Sequence, residues 1–255
     1  MSLDLRNLRR DILQLAVKAN EGHIPSSLSI LDILYVLFDK VLKIYPDDPN
    51  HLGRDYFILS KGHASLALYI VLAYKGFFSR EDLEQFATFD SILGGHPDRN
   101  KIPGIEASTG SLGHGMPIAV GIAMGLKTRE ATNRVVCLIG DGESNEGTVW
   151  ESALLAAHHQ LNHLICVIDH NHSTDRALAV DDLGEKFAAF GWKTITVNGH
   201  DHREIYHSLA KIDEYRPLAI IANTIKGHGF KAMENNPAWH HKIPNAVELR
   251  EFMEE

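Results

Sequence analysis

Val135-Val136-Cys137-Leu138-Ile139-Gly140-Asp141-Gly142-Glu143 is an unbroken apolar run that ends in a carboxylate between two glycines. A second run, Leu164-Ile165-Cys166-Val167-Ile168-Asp169-His170-Asn171, ends in an amide some thirty residues further on. Between them, Gly147 to His159 places Val149, Ala153, Ala156 and Ala157 at helical spacing, so the unit reads strand, helix, strand. A crossover of this length joins parallel neighbours and is right-handed in nearly all cases. Asp141 and Asn171 therefore emerge side by side at the carboxyl edge of one sheet, where open α/β sheets bind ligands.

The residue types at that edge suggest the ligand. Gly140 and Gly142 let the chain turn sharply and leave backbone amides open to approach. The helix that follows presents its N-terminus to an anion. Asp and Asn offer hard oxygens, which suit Mg²⁺ or Ca²⁺ rather than a soft metal. One carboxylate makes a weak cation site by itself, so the combination predicts a diphosphate held through a divalent cation.

Outward from this unit, strands are expected at Asp55–Leu59, Arg134–Ile139, Leu164–Ile168, Lys193–Val197 and Pro217–Thr224. Helices are expected in the amphipathic segment from Met1 to Asn20, at Leu28–Phe38, Ala64–Tyr74, Met116–Lys127, Asp181–Phe190 and His202–Glu214, with a start at Ser79. The alternation predicts an α/β fold: a doubly wound, mostly parallel sheet with helices on both faces. Residues 1–255 read as a single domain with an N-terminal helical segment and a C-terminal tail. Gly121 and Gly125 predict close packing of their helix against another. Gly94 to Gly115 is the longest loop, and loops of that length are usually functional.

The net charge of −8 lacks the basic excess of a nucleic-acid groove, and no apolar run reaches membrane-spanning length. The two cysteines, Cys137 and Cys166, fall inside the apolar runs and predict packing rather than a disulfide framework. With no signal-peptide core, a cytoplasmic protein is expected. Six of the 16 histidines follow glycine directly: His23, His63, His96, His114, His200 and His228.

The Gly-Asp-Gly followed by Asn resembles the thiamine-diphosphate-binding domain of transketolases. So do Gly22-His23, Leu59-Ser60-Lys61-Gly62-His63-Ala64, Gly95-His96-Pro97-Asp98, Glu106 to Gly113 and Asn145 to Glu151, in family order, from about Gly22 to about Lys242. The resemblance implies thiamine diphosphate and Mg²⁺ as cofactors, with Ca²⁺ or Mn²⁺ able to substitute. It implies metal ligation by Asp141, Asn171 and the carbonyl of Ser173, and cofactor contacts from His63, Gly110, Leu112, Gly140, Asp141, Gly142, Glu143 and Asn171. His23, His63, His96 and His240 match reaction-centre histidines, with His241 competing for the role of His240. Glu146, and less directly Glu151, match acidic residues near the subunit interface. His114 stands outside the catalytic set.

The activity implied is transfer of a two-carbon ketol group from a ketose or ketose phosphate to an aldose. The chain stops at Glu255, soon after such a domain ends. By resemblance it is the N-terminal subunit of a split transketolase, working in a heterotetramer with a separate pyrimidine-domain subunit; a homodimer is open to the isolated chain. The alternatives are a 1-deoxyxylulose-phosphate-synthase-like chain and a non-catalytic cofactor-binding or regulatory subunit. A zinc hydrolase is disfavoured because no His-Glu-x-x-His pattern occurs.

Overall fold

The structure, a computed structural model, describes residues 4–255; residues 1–3 of the expected first helix and domain lie outside the described residues. Five strands form one sheet: β1 (Tyr56–Leu59), β2 (Val135–Gly140), β3 (Leu164–His170), β4 (Lys193–Asn198) and β5 (Leu218–Asn223). Their spatial order is β1-β2-β3-β5-β4, and every pairing is parallel. The register sets Cys137 beside Cys166 and Gly140 beside Asp169. Both cysteines are free and fully buried, as expected.

Side chains alternate across the sheet because successive strand residues point to opposite faces. Val136, Leu138, Ile165, Val167, Leu218 and Ile220 enter one core, with α1 (Leu5–Ala19), α2 (Ile24–Val36), α3 (Ser65–Lys75) and later α8 (His202–Leu209) and α9 (Ala246–Glu254). Val135, Cys137, Ile139, Cys166, Ile168 and Ala219 enter the other, with α5 (Gly115–Thr128), α6 (Gly147–His158) and α7 (Leu183–Ala189). The chain steps in one direction from β2 to β3 over α6, and in the reverse direction from β4 to β5 over α8. A right-handed crossover then requires α6 and α8 to lie on opposite faces, as they do.

Three boundaries differ from the sequence reading. Helix α2 begins at Ile24, four residues before Leu28, because Pro25 lies in its first turn, where a missing N–H costs nothing. Helix α8 ends at Leu209 rather than Glu214. The segment after Ser79 is a single turn, α4 (Arg80–Leu83), closed by a Ser79/Asp82 capping box. A correction concerns Gly121 and Gly125: nothing lies within 4 Å of a Cβ built on either, so among the described residues no helix packs closely against these two glycines. Among the described residues no helix is long and apolar enough to cross a membrane.

Candidate active site

Strands β2 and β3 deliver Asp141 and Asn171 to the same carboxyl edge. The Asp141 carboxylate, 2% exposed, accepts from the amides of Gly142 (2.7 Å) and Asn171 (3.1 Å). Asn171 Oδ1 accepts from the Ser173 amide at 3.1 Å. Burial, and then the Asp169 anion, push the Asp141 carboxyl above its usual range. A buried carboxylate with amide partners and no ion-pair partner among the described residues, beside an amide oxygen and a loop carbonyl, fits a hard divalent cation. Asp141, Asn171 and Ser173 line one cavity.

Asp169, which the sequence reading passed over, lies beneath them. It is fully buried and accepts from Lys61 Nζ (2.5 Å), Ser29 Oγ (2.6 Å), Asn171 Nδ2 (2.9 Å) and the Thr224 hydroxyl. Burial pushes its carboxyl up, but the Lys61 ammonium and the hydroxyls outweigh it and hold it below the usual carboxylate range. These contacts draw α2, the end of β1 and the end of β5 onto one anion. They also fix the amide of Asn171, whose oxygen accepts from the Ser173 amide.

Glu143 is buried on the other side of the Gly-Asp-Gly turn. It accepts from the Ser60 hydroxyl, Gly113 N (2.8 Å) and Gly140 N (3.1 Å), and burial pushes its carboxyl up. This clasp holds the long loop to the sheet edge. Its close approaches need glycine: Gly113 has φ +80°, and a Cβ on Gly115 would come within 2.4 Å of Ser60 Cβ.

The histidines form the opposite wall. His23 caps the start of α2, and His63 lies in the 3₁₀ turn Gly62–Ala64. Their ring centroids are 5.0 Å apart. Burial, then neighbouring His241, His240 and His96, lower the His23 pKa to about 4. Burial, then Lys61, hold His63 far below the usual imidazole range; His240 is lowered by burial and by Lys226. At neutral pH these rings are uncharged, each with one donor and one acceptor nitrogen.

Lys226, also unassigned from sequence, projects from the loop after β5 with Nζ 3.1 Å from His240 Nδ1. Burial, then Lys61, lower its pKa to about 8. The loop is held from behind. His200 Nε2 accepts the Ile225 amide (2.8 Å) while its Nδ1 donates to Asp32 (2.9 Å), which also receives Arg9 (2.7 Å) and His202 (2.9 Å).

One cavity of about 530 Å³ gathers these groups. His23, His63, His96, Gly110, Leu112, Gly140, Asp141, Gly142, Glu143, Asn171, Ser173 and His240 all line it, together with Ser26, Lys61, Lys226 and His241. Glu146 does not: it is exposed at the start of α6, outside the cavity, and Glu151 is exposed on the same helix. Within this chain Glu146 makes no contact with the cavity, and its exposure leaves it available to a partner subunit. His114 turns back onto Ser111 Oγ (3.1 Å) and the Leu112 carbonyl (3.0 Å). Two lysines, hard oxygens and a group of imidazoles around one cavity suit a ligand with an anionic part and a hydroxyl-rich reacting part.

Residues 3–252 match the family described as transketolase, thiamine diphosphate binding domain. The chain is 36% identical over 262 residues to one of the subunits of the apulose-4-phosphate transketolase of Phocaeicola vulgatus, an alignment covering 100% of this chain and 93% of that protein. It is 38% identical over 240 residues to the 6-deoxy-6-sulfo-D-fructose transketolase subunit SqwG of a Clostridium species, covering 91% and 87%. A solved transketolase from Leishmania mexicana superposes with a TM-score of 0.89 at 26% identity, covering 99% of this chain and 41% of that one. The chain thus spans about two fifths of the length of that solved enzyme.

Proposed function

The chain belongs to the transketolase family, and from that premise we propose that it is the diphosphate- and metal-holding subunit of a two-chain enzyme. That enzyme moves a two-carbon ketol group from a ketose or ketose phosphate donor to an aldose acceptor. The observation that carries the reading is the convergence of the Asp141–Asn171 edge with His23, His63 and His96 on one cavity. Holding a diphosphate needs the first group only; the neutral imidazoles have use where hydroxyl protons are moved or oriented.

Asp141, Asn171 and the Ser173 carbonyl would hold Mg²⁺, and Lys61, Lys226 and the Gly142 amide would face the diphosphate. When bound, thiamine diphosphate supplies the carbanion stabilisation that the transfer requires. His63 lies deeper, next to Lys61, and acts where the cofactor meets the sugar. His23 and His96 give ring nitrogens to the ketose hydroxyls, and His240 closes the far side. The sugar's identity is set elsewhere in the assembly, since among the described residues the cavity offers no second cluster of cations for a distal phosphate.

The relatives named as transketolase subunits support a separate partner chain; in our proposal it carries the pyrimidine-binding domain, and two copies of each assemble in the cytoplasm. The surface that best suits it runs over α5 and α6: Ile118, Leu154 and Leu155 are exposed, and Gly121, Gly125 and Gly147 face open space. Glu146 and Glu151 stand on that surface. An apolar patch of this kind seldom stays uncovered.

The test is a ketol-transfer assay of the purified chain with thiamine diphosphate, Mg²⁺, a ketose phosphate and an aldehyde, with and without a pyrimidine-domain chain. Transfer only in the mixture is expected, and robust transfer by this chain alone would refute the two-chain reading. Asp141→Ala should remove the Mg²⁺-dependent stabilisation by the cofactor, which at a hundred times its dissociation constant is about 2.7 kcal/mol.

A further inference from the structure

Three imidazoles converge at the mouth of the cavity. His23, His240 and His241 each place a ring nitrogen within 4.8 Å of the other two. The ring centroids are 4.5 Å apart for His23 and His241, 5.7 Å for His23 and His240, and 4.4 Å for His240 and His241, all edge-on. Only His240 has a side-chain hydrogen-bond partner among the described residues, Lys226. The backbone that presents the pair is anchored on both sides. Trp239 is buried against Phe252 at 5.3 Å, and Lys242 lies over the Trp239 ring at 4.1 Å.

Imidazole is a ligand for Zn²⁺, Ni²⁺ and Cu²⁺, whereas the oxygens of Asp141 and Asn171 suit Mg²⁺. A tetrahedral ion with nitrogens at about 2.0–2.1 Å holds them about 3.3 Å apart. The present spacing reaches that by small rotations of two exposed rings. Three protein nitrogens leave a fourth position open toward the cavity. The other cluster of comparable spacing, Asp32, His200 and His228, is not free to do the same: Asp32 is engaged by Arg9, His200 and His202, and both nitrogens of His200 are taken.

We propose that His23, His240 and His241 form a site for one borderline transition-metal ion of the Zn²⁺ class, separate from the hard-oxygen site, and that the bound ion closes the cavity to the sugar donor. The second clause rests on the transketolase reading; the first does not. Lys226 opposes the ion, both by its charge and by its contact with His240 Nδ1.

Tag-free chain, with Mg²⁺ in excess, is titrated with Co²⁺ and followed by its visible absorption. One equivalent with an intense tetrahedral band, displaced by Zn²⁺, is expected. His23→Ala and His241→Ala should weaken binding at least tenfold, His228→Ala should leave it unchanged, and Lys226→Met should tighten it. No band, or a band that survives His241→Ala, would overturn the site, whatever the enzyme's activity. In the assembled enzyme, Zn²⁺ should raise the apparent KM for the ketose donor; an unaltered KM at metal saturation would overturn the closure.

Discussion

Lys61→Met tests whether the buried base of the cavity is as costly to break as its geometry implies. Lys61 Nζ and Asp169 Oδ2 are 2.5 Å apart, with side chains 3% and 0% exposed. At an effective dielectric of about 20, unit charges at that distance attract by about 6–7 kcal/mol. That attraction offsets a desolvation cost of several kcal/mol for each ion, so the intact pair is close to neutral for stability. Removing only the cation leaves Asp169 buried with neutral donors, which costs about 3–5 kcal/mol. For a domain of this size that is a fall in Tm of about 6–10 °C. Replacing Asp169 by Asn in the same chain removes the stranded charge and should restore at least half of the loss. Urea denaturation of wild type, Lys61→Met, Asp169→Asn and the double variant closes the cycle. A single-variant loss under about 1 kcal/mol, or a double variant as unstable as Lys61→Met, would refute the reasoning.

Asp32→Asn should destabilise the fold by about 3 kcal/mol at pH 7, because it strands Arg9 behind the Lys226 loop. Although burial pushes Asp32 up, His200, His202 and Arg9 hold its carboxyl well below the usual range. Its contribution is therefore full above the unfolded-state pKa near 4 and declines as the pH falls below that; a gap in urea midpoint that stays constant from pH 7 to pH 3 would contradict the assignment. His96→Ala should raise KM for the ketose donor about tenfold or more with little effect on cofactor affinity, whereas His63→Ala should impair both cofactor affinity and kcat. Identical kinetic profiles for the two would remove the distinction drawn between the rim and the deep wall.

The parts legible in the sequence are those whose signal is local. β2 and β3 are apolar runs bounded by turn residues, and the crossover rule alone brings Asp141 to Asn171. Asp169 was hidden because an acid inside an apolar run has no local meaning. Its partners Ser29, Lys61 and Thr224 lie 140, 108 and 55 residues away. Lys226 did have a local signal, a lysine just past a strand end and before Gly227, whose φ of +87° turns the chain at the sheet edge. Glu146 was legible only through the resemblance, because nearness to the Gly-Asp-Gly turn does not set side-chain direction. The 3₁₀ turn Gly142–Asn145 intervenes and carries it outward.

The charges at the sheet edge explain why the metal and the diphosphate belong together. Asp141, Glu143 and Asp169 are buried acids, and Lys61 and Lys226 are the cations that share the cavity with them. Lys61 is matched to Asp169, and Lys226 has its proton affinity lowered by its surroundings. Lys226, with no carboxylate partner among the described residues, is then the cavity lysine left to meet a diphosphate. Asp141 and Glu143 are both pushed toward protonation, chiefly by burial. On the proposed reading, a divalent cation at Asp141 would add positive charge there and would be bound well only when phosphate oxygens complete its shell. By linkage each ligand then raises the affinity for the other by the same factor. Burial first, and then the neighbouring imidazoles and lysines, keep His23, His63 and His240 uncharged, so these three rings work through neutral donors and acceptors.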